Sequence, residues 1–232
     1  MTGEPPTVSW LQRHERDVPD GDGWLSEGER AVQARLVVPP RLADWRLGRW
    51  TAKAALAHVL EVDPLRVAVL AAEDGAPEPW LDGQPLALSL SITHRSALAL
   101  AVVGDGVRVG GDLEVVEPRS DAFVREWFGE AEQHMIATAL APGPAPELPC
   151  LLWSAKEATA KVLREGLRLD PRGALVSLED DREPGEPVGH WQRFSVDWAD
   201  QGPVVSGWWR RDGSFVRTIA AAPSCPLPVR LG

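Results

Sequence analysis

Two stretches of the chain hold side chains that could do chemistry together. In "GGDLEVVEP", Asp112 and Glu114 stand two apart in a run that reads as a strand, so both carboxylates project from one face. In "WSAKEATAKVL", residues 153–163, Glu157 and Lys161 stand one helical turn apart. Neighbouring acids repel unless something neutralises them, and a hard divalent cation such as Mg²⁺ does so while keeping places for phosphate oxygens. Glu157 would supply a third carboxylate to such a centre. Each stretch alone also has a plainer reading: D-x-E is more often a solvated strand edge. An i,i+4 Glu–Lys pair is more often a surface contact that stabilises a helix by roughly 0.3–0.5 kcal/mol.

The second stretch occurs twice. "WTAKAALAHVL", residues 50–60, agrees with it at seven of eleven positions, with Ala54 and His58 where the later copy has Glu157 and Lys161. The chain has three lysines, Lys53, Lys156 and Lys161, and all lie inside these two phrases, whereas the other 21 of its 24 Lys and Arg residues are arginine. A compact three-donor ammonium retained at so few places suits phosphate binding. Arg46, Arg49 and Lys53 share one helical face in a basic island that begins at Arg41 and holds the single acid Asp44. Phosphate binding and a solvated face explain that island equally well. His94, in the apolar run "SITHRS", reads either as a structural histidine or as a phosphate contact.

The elements that must position these residues follow from pattern. Ser26 and Glu29 form an S-x-x-E capping box ahead of a short helix. A longer helix is expected from about Ala43 to Leu60, stopped by Asp63-Pro64. The period then changes to short strands broken at Asp74-Gly75, Asp82-Gly83 and Asp105-Gly106. After a linker at Pro118–Ser120, helices are expected from Asp121 and from Glu130. A loop "APGPAPELP" precedes a helix from about Leu148 to Glu165 with Gly166 as its stop. On that helix Leu152, Ala155, Thr159, Val162 and Leu163 form the buried stripe, opposite Glu157, Lys161 and Arg164. Strands are expected around residues 174–178, 191–198, 204–210 and 215–221, followed by a loose tail "PSCPLPVRLG". The fold class is therefore α+β: two similar halves, 1–112 and 113–232, each a small mostly antiparallel sheet with a long helix, related by a pseudo-twofold axis with a ligand cleft between them.

Composition narrows the partners. A formal net charge of −10 argues against nucleic acid and against an anionic membrane surface. No apolar run is long enough to span a bilayer, and "MTGEPPTVSW" lacks signal-peptide features, so a cytoplasmic protein is expected. Cys150 and Cys225 have no metal-ligand spacing and are too few for a disulfide framework.

The spacing G-x-D-x-E, then about forty residues to W-S-x-K-E-x-x-x-K, resembles the surfactin-type 4′-phosphopantetheinyl transferases. Here it reads Gly110, Asp112 and Glu114, then Trp153, Ser154, Lys156, Glu157 and Lys161. The resemblance extends to "WRLGRWTAKAAL", "SITHRS" and "WFGEAEQ". It implies an Mg²⁺-dependent enzyme that moves the phosphopantetheine arm of coenzyme A to a serine of an apo acyl or peptidyl carrier protein, releasing 3′,5′-ADP. By position it implies that Asp112, Glu114 and Glu157 hold the metal and that Lys161 meets the phosphate and the departing nucleotide. Thr93, His94, Arg49, Lys53 and Lys156 would bind coenzyme A, and Glu132 would assist the metal site or take the serine proton.

The chain departs from the family pattern at Gln84, where a phosphate-binding lysine is common, at Gly111, where a β-branched residue is usual, and at Thr93, where serine is frequent. A monomer is expected, because two similar halves supply the interface internally. Carrier docking is assigned to apolar residues near Trp127 and Phe128. Two other readings stay open: an Mg²⁺-dependent nucleotide phosphohydrolase, and a non-catalytic module that binds coenzyme A or a carrier.

Overall fold

The capping box forms as its spacing requires. Ser26 Oγ accepts the Glu29 N–H at 3.3 Å and the Glu29 carboxylate accepts the Ser26 N–H at 2.8 Å, opening helix α1 (Glu27–Gln33). The computed structural model describes residues 5–139, 146–165, 168–179 and 190–232, which divide into two units, Met1–Val109 with Pro228–Gly232, and Gly110–Leu227.

In the first unit the long helix α2 runs Pro39–Leu60 and begins four residues before Ala43. Prolines 39 and 40 open it because the first-turn N–H groups need no partner and the ring presets φ. Glu61 ends it in the left-handed region at φ 53°. The sheet against which α2 packs has the order β12-β1-β6-β5, where β1 is Thr7–His14, β5 Leu88–Arg95, β6 Leu98–Asp105 and β12 Val229–Arg230. Burial of Leu47, Ala52, Ala55 and Leu56 on the inner face of α2 supplies much of this core, about 1.5–3 kcal/mol for each large aliphatic side chain.

Strands β2 (Val67–Ala71), β3 (Pro77–Leu81) and β4 (Gln84–Pro85) make a separate antiparallel sheet. Gly75 and Gly83 take the positive φ that their turns need, and Gly106 does so after β6. The β5–β6 hairpin turns instead at Ser96 and Ala97, at φ 51° and 62°, with no glycine or asparagine to announce it. His94 therefore lies beside a hairpin tip and not in the middle of an apolar strand. The tail is also more ordered than expected: β12 pairs in parallel with β1, and Leu231 is buried.

In the second unit the sheet order is β7-β11-β10-β9-β8. The strands are β7 (Arg108–Val115), β8 (Leu175–Leu178), β9 (Gln192–Asp197), β10 (Val205–Asp212) and β11 (Phe215–Ala222). Helices α3 (Asp121–Trp127) and α4 (Glu130–Ala139) precede α5 (Glu147–Leu163), which packs across β8 to β11. Leu152, Ala155, Thr159 and Val162 are fully buried on α5, as the wheel predicts, but Lys156, Ala158 and Ala160 are buried too. A stripe through Trp153, Glu157, Lys161 and Arg164 reaches the surface, and Leu163, expected in the buried stripe, is half-buried beside it. Trp198 Nε1 donates to Thr159 Oγ1 at 3.1 Å, which satisfies both polar groups inside the core. Arg164 ends α5 in the left-handed region at φ 61°. The expected stop at Gly166 lies outside the described residues, as does most of the loop "APGPAPELP". Each unit thus lays a long helix on a mostly antiparallel sheet, an α+β fold.

Candidate active site

The repeated phrase acquires a physical reason from its two shared lysines. Lys156 is 1% exposed, and its ammonium donates to Glu132 Oε2, to the Pro171 carbonyl at 2.6 Å and to the Trp127 carbonyl at 3.4 Å. The other Glu132 oxygen accepts the Val176 N–H of β8 at 3.1 Å. In the first unit Lys53 is 0% exposed and donates to Glu29 Oε2 at 3.1 Å, while Glu29 Oε1 accepts the Val69 N–H of β2 at 3.0 Å. Each lysine follows its glutamate by the same 24 residues. The phrase therefore encodes one clamp, used twice, that joins the long helix to the preceding helix and to a strand.

Burial lowers the pKa of both lysines and raises that of Glu132, each shift opposed by the partner's charge. These groups are internal counter-ions. Lys53, Lys156 and Glu132, expected to touch coenzyme A or the metal, are buried and paired in this way.

The residues that differ between the two copies lie where β7 meets α5. A Cβ on Gly110 would come 1.9 Å from the Ala158 carbonyl oxygen, so only glycine lets the strand approach the helix this closely. That approach brings Asp112 against α5. Its Oδ2 accepts from Ser154 Oγ at 2.9 Å and its Oδ1 from Lys161 Nζ at 2.9 Å, and Lys161 also donates to the Gly111 carbonyl at 2.9 Å. Thr218 of β11 donates to the Ser154 carbonyl at 2.9 Å and has its hydroxyl 2.8 Å from Ser154 Oγ. The Ser154 hydroxyl proton points at Asp112. Gly110→Ala is expected to push α5 off β7 and cost roughly 1–3 kcal/mol of stability, the usual range for overpacking. A chemical-denaturation midpoint equal to wild type would contradict this close contact.

Glu114 is held by a residue that sequence reading missed. Arg119, taken as part of a linker, donates to Glu114 at 2.7 Å and to Glu117 at 3.4 Å, and its guanidinium lies 5.1 Å from the centre of the Phe123 ring. The signal available was its charge, five residues beyond Glu114, in a chain where arginine is common everywhere.

Glu157 completes the group. Burial pushes its carboxyl up, Lys161 pulls it down, and the charges of Asp112 and Glu114 add to the rise. The three acids thus act on one another electrostatically, although among the described residues no three His, Cys, Asp or Glu side chains converge on a point able to hold a metal ion. The donor chemistry fits a hard divalent cation: three carboxylates that repel one another, with Lys161 and Arg119 as their present counter-charges. A cation held there would have to replace Lys161 on Asp112.

The raised carboxyl makes a prediction of its own. Folded Glu157 binds its proton more tightly than in the unfolded chain. Its contribution to stability is therefore full below the unfolded value, about 4.3 for Glu, and is lost as pH rises through the folded value. With EDTA present, Glu157→Gln is expected to melt above wild type at pH 7, with the gap closing towards pH 4. A gap independent of pH in scanning calorimetry would contradict the shift.

The first-unit residues are arranged differently from the basic face read in the sequence. Arg46 is taken up by Asp22 and by the Gly21 carbonyl, the latter at 2.6 Å. Arg49, partly exposed, donates to the Val69 carbonyl at 2.7 Å and lies over the Trp45 ring. Thr93 is half-buried on β5, and His94 is exposed with Nδ1 3.8 Å from Asp44 Oδ1. In the second unit the Trp153 ring packs against Trp127 and Phe123 at centroid distances of 4.9 and 5.5 Å. Phe128, expected at the surface, is fully buried and lies under the Lys156 ammonium.

Among known proteins, residues 108–201 match the family model of the 4′-phosphopantetheinyl transferase superfamily. That span runs from the start of β7 past the end of α5, and it contains Asp112, Glu114, Arg119, Glu132, Ser154, Glu157 and Lys161. The matched residues make up less than half of the chain, and over that stretch the chain is similar to the superfamily. No curated protein matches the chain. No helix among the described residues is long and apolar enough to cross a membrane.

Proposed function

We propose that the protein transfers the 4′-phosphopantetheine arm of coenzyme A to a serine of an apo acyl or peptidyl carrier protein, with Mg²⁺, as a surfactin-type enzyme acting as a monomer in the cytoplasm. The observation that carries this reading is the electrostatic group of Asp112, Glu114, Glu157 and Lys161 at the β7–α5 contact, within the stretch that matches the superfamily.

In the reaction the serine oxygen forms a bond to the phosphorus that bears pantetheine. The bond from that phosphorus to the bridging oxygen breaks, and 3′,5′-ADP leaves with the bonding electrons. The serine proton must go to a base. The centre is already crowded with negative charge, so positioning and neutralisation are the main tasks. A divalent cation on Asp112, Glu114 and Glu157 would supply charge neutralisation at the pyrophosphate. Ser154 and Thr218 fix the Asp112 carboxylate. Lys161, partly exposed, presents an ammonium that can neutralise or protonate the departing phosphate. A carboxylate oxygen of this group that the cation leaves free can take the serine proton. Arg49, Thr93 and His94 are our candidates for contacts to coenzyme A phosphates. Lys53 and Lys156 are left out because they are buried.

The test is release of 3′,5′-ADP from coenzyme A and Mg²⁺, followed chromatographically with and without an apo carrier. Release in step with carrier modification is expected. Release that ignores the carrier would replace this reading with that of a phosphohydrolase. Coenzyme A binding without release in either mixture would leave only a binding module.

A further inference from the structure

Resting on the proposed metal site, a second step can be drawn from the contacts of Lys161. Its ammonium spends two of its three donors inside the protein, on Asp112 Oδ1 and on the Gly111 carbonyl, both at 2.9 Å. Asp112 Oδ2 is meanwhile occupied by the Ser154 hydroxyl. The Asp112 carboxylate is 8% exposed and the Lys161 side chain 29%, so the aspartate is fixed and the lysine is the partner with room to move. Glu114 is bound to Arg119, whose side chain is 13% exposed, so the nearby arginine is far less free to leave.

We infer that Lys161 is an internal competitor for the cation site. Entry of the divalent cation and release of the Lys161 ammonium from Asp112 are one exchange, which delivers a free ammonium to the phosphates only once the metal is in place. The physical reason is local charge. Three carboxylates beside one ammonium and one guanidinium hold the lysine strongly when no metal is there. A divalent cation on Asp112 neutralises the carboxylate that held it and repels the ammonium at short range. Ordering follows: metal first, then a lysine able to turn to substrate.

The lysine content makes the exchange directly readable. Lys53 and Lys156 are buried, so Lys161 is the lysine that an amine-acylating reagent can reach. Acylation of Lys161, mapped by peptide mass spectrometry on the full chain without coenzyme A, is expected to speed up several-fold when Mg²⁺ is added. Asp112→Asn should give the faster rate without metal. Independently, Lys161→Gln should bind Mn²⁺ about tenfold more tightly than wild type by electron paramagnetic resonance titration, since a charge-assisted bond to the ligand no longer competes.

Wild type that binds Mn²⁺ through Asp112, yet shows unchanged Lys161 labelling and no tightening in Lys161→Gln, overturns the exchange while leaving the metal site standing. Mn²⁺ binding that is absent from wild type, or indifferent to Asp112→Asn, overturns the metal site and the exchange with it.

Discussion

Glu157→Ala is expected to lower the rate of phosphopantetheine transfer by at least about 10³-fold, at the upper end of what one preorganised charged group supplies, without loss of stability. The two halves of that result have one origin. Glu157 sits half-buried on the outward stripe of α5 and bears the repulsion of Asp112 and Glu114, so the folded protein holds it at a cost. A structural residue with three well-matched partners would behave oppositely. Steady-state transfer rates beside melting temperatures at pH 7 decide the matter. An inactive variant that is at least as stable as wild type fits the account, whereas retained turnover would remove Glu157 from the site.

Lys156→Met, one residue before Glu157 but on the buried side of α5, should show the reverse balance. It leaves Glu132 buried and ionised with its strongest partner gone, and breaking a buried pair from one side costs about 3–5 kcal/mol. That is a large part of the stability of an ordinary domain. The double variant Lys156→Met, Glu132→Gln should recover part of the loss, because the uncompensated charge goes too. The same pair of experiments at Lys53 and Glu29 should give losses of similar size, since that clamp has the same parts. Denaturant midpoints measure all of these, and single variants at Lys156 or Lys53 as stable as wild type would contradict the clamp.

These two predictions divide the lysines in a way that the sequence alone did not. Their restriction to the repeated phrase was legible, and it pointed to phosphate because an exposed ammonium is the usual reason to prefer lysine. The competing reason, a buried ammonium with several carbonyl and carboxylate acceptors around it, needs Glu29 and Glu132 to be located first. They lie 24 residues upstream, on other helices, and no local periodicity connects them.

What could be read was local. The capping box at Ser26 and Glu29, the buried stripe of α5 and most strands follow from period and turn chemistry. The Ser96-Ala97 turn was hidden because it lacks the residues that favour positive φ, and β12 was hidden by the prolines that precede it and by its length of two residues. Within the site, Asp112, Glu114, Glu157 and Lys161 were visible as spaced charges. Gly110 was visible only as a letter in a motif, since its reason is an α5 carbonyl 48 residues away. Arg119 was one arginine among many until Glu114 was seen to meet it.

The measurement closest to the centre of the account is the intact mass of an apo carrier protein incubated with this protein, coenzyme A and Mg²⁺, run beside EDTA and the Glu157→Ala variant. The account predicts a carrier heavier by one phosphopantetheine group in the complete mixture and an unmodified carrier in both controls. A carrier that stays unmodified across acyl and peptidyl classes, or one modified equally by Glu157→Ala, would contradict it.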